Sequence, residues 1–171
     1  MLWSRATAVT LLLLALSACG FKPLYGTDKT GLSDPQAELA TVQVSNIPDR
    51  LGQLVRNQLV DYLSPTGHAS QKRYILKVGL SLSSEGIALA RDESATRYNV
   101  QLTAHFNLTD LNTNKRIFEG QARSIAVYNV ITSEYATLIA RQDAERRAAS
   151  DVADELRTRL SVFFSRRTNS S

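Results

Sequence analysis

Between residues 97 and 108 the chain alternates without interruption. Tyr98, Val100, Leu102, Ala104, Phe106 and Leu108 hold the even places; Arg97, Asn99, Gln101, Thr103, His105 and Asn107 hold the odd ones. Period-two alternation of that length predicts a strand with one buried face. A strand before it carries Leu76, Val78, Leu80 and Leu82 on one side and Lys77, Gly79, Ser81 and Ser83 on the other. A third is expected over residues 116–130, with Phe118, Ala122, Ala126, Tyr128 and Val130 facing inward. Gly120 and Ser124 fall on that same face and leave room for something bulky. Asp110-Leu111-Asn112-Thr113-Asn114 has the composition of a hairpin turn.

The period then changes to that of a helix. Leu51, Leu54, Val55, Gln58, Leu59 and Tyr62 recur at helical spacing after the turn Asn46-Ile47-Pro48-Asp49, and Ser64-Pro65-Thr66-Gly67 stops them. Residues 133–164 predict one long helix capped by Ser133, with an apolar stripe of Leu138, Ala149, Val152, Ala153, Leu156, Leu160 and Phe163. Gln142 and Glu145 interrupt the stripe, so its first third is expected to bury less. A short strand over residues 39–45, "LATVQVS", completes the order β–α–β–β–β–α. Both helices must hide their stripes on the apolar side of the sheet. The expected fold is therefore an α+β two-layer sandwich, two helices on one face of a four-stranded, mostly antiparallel sheet. The other face carries Arg97, Gln101, Thr103, His105, Glu119, Gln121 and Arg123, a surface for water or for a polar partner.

The N-terminal residues follow a different logic. Arg5 precedes a short apolar run over residues 8–16, broken only by Thr10, too short to span a bilayer core of roughly 20 apolar residues. It ends in Leu16-Ser17-Ala18-Cys19, which has the form of a bacterial lipobox. Cys19 is the expected site of lipidation, with residues 1–18 a cleaved signal peptide, 19–38 a tether, 39–165 a single domain and 166–171 a flexible tail. Several acyl chains would hold such a protein durably on a membrane. Gly20, where lipoproteins retained at the inner membrane usually have Asp, points to the outer membrane. Cys19 is the only cysteine, so no disulfide is expected and the core alone holds the fold.

The net charge of +4 includes Arg5. A mildly basic chain in the periplasm has no nucleic acid to meet, which leaves anionic lipids or phosphorylated glycolipids as targets. Enzyme chemistry is not expected. The chain has two histidines, His68 and His105, and no nucleophile elbow, Gly-rich phosphate loop or metal-ligand spacing. No cofactor and no metal are expected. Asp110 and Glu119 are the carboxylates that the hairpin would bring closest. Arginine suits bidentate phosphate contacts. Arg91, in the connection between the first two long strands, and Arg141, early in the long helix, are the candidates, with Arg146 and Arg147 following.

Cys19-Gly20-Phe21-Lys22-Pro23-Leu24-Tyr25-Gly26 resembles the first mature residues of the lipopolysaccharide-assembly lipoprotein family (LptE) in its alphaproteobacterial form. "LVRNQL", residues 54–59, is similar to that family's first helix, and "DAERRAASDVADELRTRL", residues 143–160, to its last. The resemblance implies an outer-membrane lipoprotein that plugs the β-barrel lipopolysaccharide translocon subunit, LptD, helps it assemble and assists lipopolysaccharide transport. It places lipopolysaccharide contacts at Arg91 and Arg141, with Arg97 as a substitute for Arg91. The alternative is a periplasmic auxiliary lipoprotein of a phospholipid ABC transporter.

Overall fold

The structure, a computed structural model, describes residues 35–64, 71–88 and 96–168. Within them the elements run α1 (Pro35–Ala40), β1 (Val42–Val44), α2 (Asp49–Leu63), β2 (Tyr74–Ala88), β3 (Thr96–Asp110), β4 (Lys115–Val130) and α3 (Glu134–Thr168). One four-stranded sheet has the order β1-β2-β3-β4, with β1 parallel to β2 and the other pairs antiparallel. This is the expected α+β arrangement, with three helices where two were expected. The additional helix, α1, takes the end of the presumed tether and the start of the presumed first strand. Thr41 ends it: its N–H and its hydroxyl both donate to the Glu38 carbonyl, at 3.0 and 2.7 Å. Arg73 holds the Glu38 carboxylate at 2.9 Å and so ties α1 to the approach of β2. Burial, and next the charge of Glu38, push the Tyr74 phenol above its ordinary pKa.

The alternation of β3 is realised in full. Val100, Leu102, Ala104, Phe106 and Leu108 are buried, as are Leu76 and Val78 on β2 and Ala122, Ser124 and Ala126 on β4. The register steps once, after Leu108 pairs with Phe118 and before Thr109 pairs with Arg116, which leaves Ile117 as an extra residue in β4. The β3–β4 turn is built by Asp110, whose carboxylate accepts the N–H groups of Asn112 and Thr113 at 2.8 and 3.2 Å. The space beside Gly120 is filled by the ring of its cross-strand partner Phe106, which a Cβ there would approach to 3.2 Å.

Helix α3 covers the apolar face. Ala144, Ala148, Ala149, Val152, Ala153, Leu156, Leu160 and Phe164 are buried, spaced three and four apart. The stripe starts later than the sequence suggests: Leu138 is half exposed, and no described side chain of α3 before Ala144 is buried. At the other end Phe163 and Phe164 share the work. Phe163 stacks on Phe118 with centroids 4.7 Å apart, and Phe164 meets Tyr74 at 5.2 Å. Ser133 caps the helix as expected, its hydroxyl accepting the Ala136 N–H at 3.4 Å.

Helix α2 lies beside α3 and buries Gly52, Val55, Leu59 and Leu63. Gly52 has a packing reason. A Cβ there would lie 2.7–2.9 Å from the side chain and carbonyl group of Ile47, itself buried just before the helix. Alanine favours a helix over glycine by about 1 kcal/mol. The clash is with backbone, so Gly52→Ala is expected to lower stability by about 1–3 kcal/mol in urea melts. A stabilised variant would contradict this close approach.

Candidate functional site

The odd-numbered side chains of β3 point away from the helices, and their partners on β2 and β4 do the same. Cross-strand rows form on that side: Lys77, Asn107 and Glu119; Gly79, His105 and Gln121; Ser81, Thr103 and Arg123; Ser83, Gln101 and Ile125. Two shallow depressions run along it, one lined by Lys77, Asn107, Arg116 and Glu119, the other by His105, Gln121 and their neighbours. Among the described residues no helix covers this face. Lys77, Arg97 and Arg123 are exposed and make no ion pair with a described carboxylate. The face is polar and rich in hydrogen-bonding groups, but shallow.

One end of the molecule is less polar. Ile125 (54% exposed) and Val127 lie on the outer side of β4, Ile131 follows in the connection, and Tyr135 (74% exposed), Leu138 and Ile139 stand at the start of α3. Solvated surfaces seldom gather so many apolar side chains unless something packs on them.

Of the basic residues singled out, Arg97 sits on the outer face, between Ile87 on β2 and Asn129 on β4. Arg141 is on α3, on the opposite side of the sheet, so the two do not form one site. Arg141 is already engaged. Its Nε donates to Glu145 Oε1 at 3.1 Å, while Arg50 at the start of α2 reaches Glu145 Oε2 at 2.9 Å. Glu145, only 12% exposed in its side chain, is thus clamped by two guanidinium groups. The polar break in the α3 stripe is the place where α2 and α3 are cross-linked, which helical spacing alone cannot reveal. Gln58 adds a second link through Ser150 Oγ at 2.8 Å. Cys19, Arg91 and His68 lie outside the described residues.

Arg146 and Arg147 both pair with Asp143, at 3.0 and 3.1 Å. Arg147 also donates to the Val127 carbonyl at 3.0 Å, occupying part of the open edge of β4. The hydrogen bonds from Arg147 and then Arg146 hold the Asp143 carboxyl below its ordinary pKa. The pair of carboxylates considered for chemistry divides into separate structural roles: Asp110 holds the turn, and Glu119 pairs with Arg116 at 2.7 Å. Among the described residues no three His, Cys, Asp or Glu side chains gather to hold a metal. No described helix is long and apolar enough to cross a membrane.

Among the described residues, then, the protein is a two-layer α+β domain whose helices cover one face of the sheet and leave the other polar. The family profile for lipopolysaccharide assembly, LptE, matches residues 39–160, and the chain belongs to this family of lipopolysaccharide-assembly lipoproteins. An uncharacterised protein of Rickettsia prowazekii is 22% identical over 161 residues, covering 92% of this chain and 96% of its own. The fold is shared with a lipoprotein of Caulobacter crescentus (TM-score 0.61, 22% identity, 77% of this chain and 96% of that one). It is also shared with a minor lipoprotein of Acinetobacter baumannii (TM-score 0.55, 17% identity, 71% and 91% covered).

The clamp predicts an asymmetry. Glu145→Ala leaves two cations facing each other and is expected to cost about 1–3 kcal/mol. Arg141→Ala, which removes a half-exposed partner, costs under about 1 kcal/mol; denaturant melts of the two variants read the difference. Asp143 has a depressed folded pKa, so its contribution is present at neutral pH and lost as pH falls through the acid range below the ordinary aspartate value. Wild type and Asp143→Asn should therefore differ in melting temperature at pH 7 and converge in strong acid.

Proposed function

We propose that this chain is an outer-membrane lipoprotein, held by acyl chains on Cys19, that plugs the lumen of an LptD-type barrel. It helps that barrel assemble and assists the passage of lipopolysaccharide, and it catalyses no reaction. Residues 1–18 serve as the signal peptide, 19–38 as the tether, 39–165 as the plug and 166–171 as a tail. Family membership supports the reading, and one observation carries it: the uncovered polar sheet face. A barrel lumen is lined by polar side chains and water, so a plug needs matching hydrogen-bonding groups rather than a greasy patch. Strands of 15 and 16 residues extend about 50 Å at roughly 3.3 Å per residue, longer than a hydrocarbon core of about 30 Å. The exposed apolar group from Ile125 to Ile139 then meets protein rather than water. The family match is to lipopolysaccharide assembly, and nothing favours the phospholipid-transporter reading.

Lipopolysaccharide phosphates are the anions to be met. Arg97, exposed and without an ion-pair partner among the described residues, is the better placed of the two described candidates. Arg141 is half exposed while bonded to Glu145, and Arg91 completes the set.

In-cell photo-crosslinks from Gln101 and Gln121 should give an adduct with the mass of a large outer-membrane barrel. Recovery of the chain alone from native membranes in mild detergent would count against the plug. Charge reversal at Arg97 should reduce lipopolysaccharide binding several-fold with an unchanged circular dichroism spectrum, and unaltered binding would remove it from the contact set. Cys19→Ser should leave the protein unlipidated by mass spectrometry.

A further inference from the structure

Strand β1 is the short edge of the sheet, and its free side is unlike that of β4. The Thr41 carbonyl accepts from Arg73 and Tyr74, and Ser45 donates to the Leu76 carbonyl. In a parallel ladder the backbone groups of alternate residues turn to opposite sides. Positions 41, 43 and 45 therefore face β2, and the N–H and C=O groups of Val42 and Val44 face away from the sheet. On β4 a guanidinium occupies part of the free edge; no backbone partner within the described residues meets Val42 or Val44.

A cleft of about 140 Å³ lies at this edge, between β1 and α2. Its α2 wall is formed by Arg56 and Val60, one turn apart and next to the stripe that enters the core, with Ser64 just past the end of the helix. Lys72 stands at its margin, donating to the Ala40 carbonyl at 2.9 Å and keeping two further N–H groups. Arg56 is the unusual member. Its Nε is shielded from solvent and has no hydrogen-bond partner, and no described carboxylate lies within 4.0 Å of its guanidinium. A donor withdrawn from water without an acceptor is costly, and more so when charged. Among the described residues no acidic side chain lines the cleft.

We propose that this cleft docks an extended, carboxylate-bearing peptide segment of a partner protein, which adds to β1 as a further strand and sets its carboxylate on Arg56 and Lys72. The alternation of free N–H and C=O groups at Val42 and Val44 complements a peptide backbone, and a headgroup offers no such match. Val60 and Leu63 supply the apolar wall for one of its side chains. The two cations set its charge, and the guanidinium fork suits a carboxylate. This site goes beyond the barrel reading and does not depend on it, because it lies away from the bare face and would serve any partner that offers such a strand.

The test pans the purified lipoprotein, in detergent, against a phage library of random peptides. The best enriched peptide is then synthesised and titrated by fluorescence anisotropy. Enriched peptides should carry Asp or Glu among β-branched residues. The Gln or Asn version of the peptide should bind about tenfold more weakly, a difference of about 1.4 kcal/mol. Arg56→Gln and, as an independent variant, Lys72→Gln should each weaken binding similarly without moving the melting temperature. Bound peptide should slow hydrogen exchange at the Val42 and Val44 amides. The proposal is overturned by no enrichment, by equal binding of the amide peptide, by the same peptides enriching against both variants, or by unprotected amides. It is also overturned if phosphatidylglycerol vesicles, and not peptide, protect those amides, since the occupant would then be a lipid. Loss of peptide binding with retained barrel co-purification would separate the failure of this site from that of the plug.

Discussion

Alanines at 144, 148, 149 and 153 let helix α3 settle closely over the apolar side of the meander, and that contact decides which side of the sheet is left open. Larger side chains at these places would hold the helix off, and the strand residues beneath would lose their cover. The aromatic chain of Tyr74, Phe164, Phe163 and Phe118 fixes the other half of the same contact. With both helices committed to one layer, β2, β3 and β4 present their odd positions to whatever lies outside. The outward polar face is thus a consequence of core packing.

The arginines divide by what they touch. Arg50 and Arg141 are spent on Glu145, and Arg146 and Arg147 on Asp143, so the arginines in the first half of α3 serve cohesion and edge protection. Arg97, Arg123 and Arg56 make no such pairs among the described residues. A guanidinium without a carboxylate is the one whose charge is available to a ligand, and the three lie in two separate regions. Two face outward with the polar rows of the sheet, and the third stands between α2 and the free edge of β1.

Edges follow the same division. The long edge of β4 is interrupted by a bulge at Ile117 and partly closed by Arg147. The three-residue edge of β1 has neither device. A very short edge strand is itself one of the ways in which sheets limit edge pairing, and among the described residues β1 relies on that alone.

Period-two alternation made β3 and the inward face of β4 legible from the chain, down to Ser124 and Gly120 on the buried side. Helical spacing, with Ser133 and Ser64-Pro65, located α2 and α3. These are local properties, repeated over many residues, and a sequence states them directly. Helix α1 was hidden because six residues after a polar stretch carry too short a pattern to show a period. The exposure of Leu138, the burial of Phe164 and the clamp on Glu145 were hidden for another reason. Each depends on what lies across a gap from a distant part of the chain: Glu145 meets Arg50 over 95 positions. The inward and outward sides of the strands were determined by the sequence, because alternation is local; that Glu145 is held by Arg50 as well as by Arg141 was decided only by tertiary packing, which sets α2 beside α3.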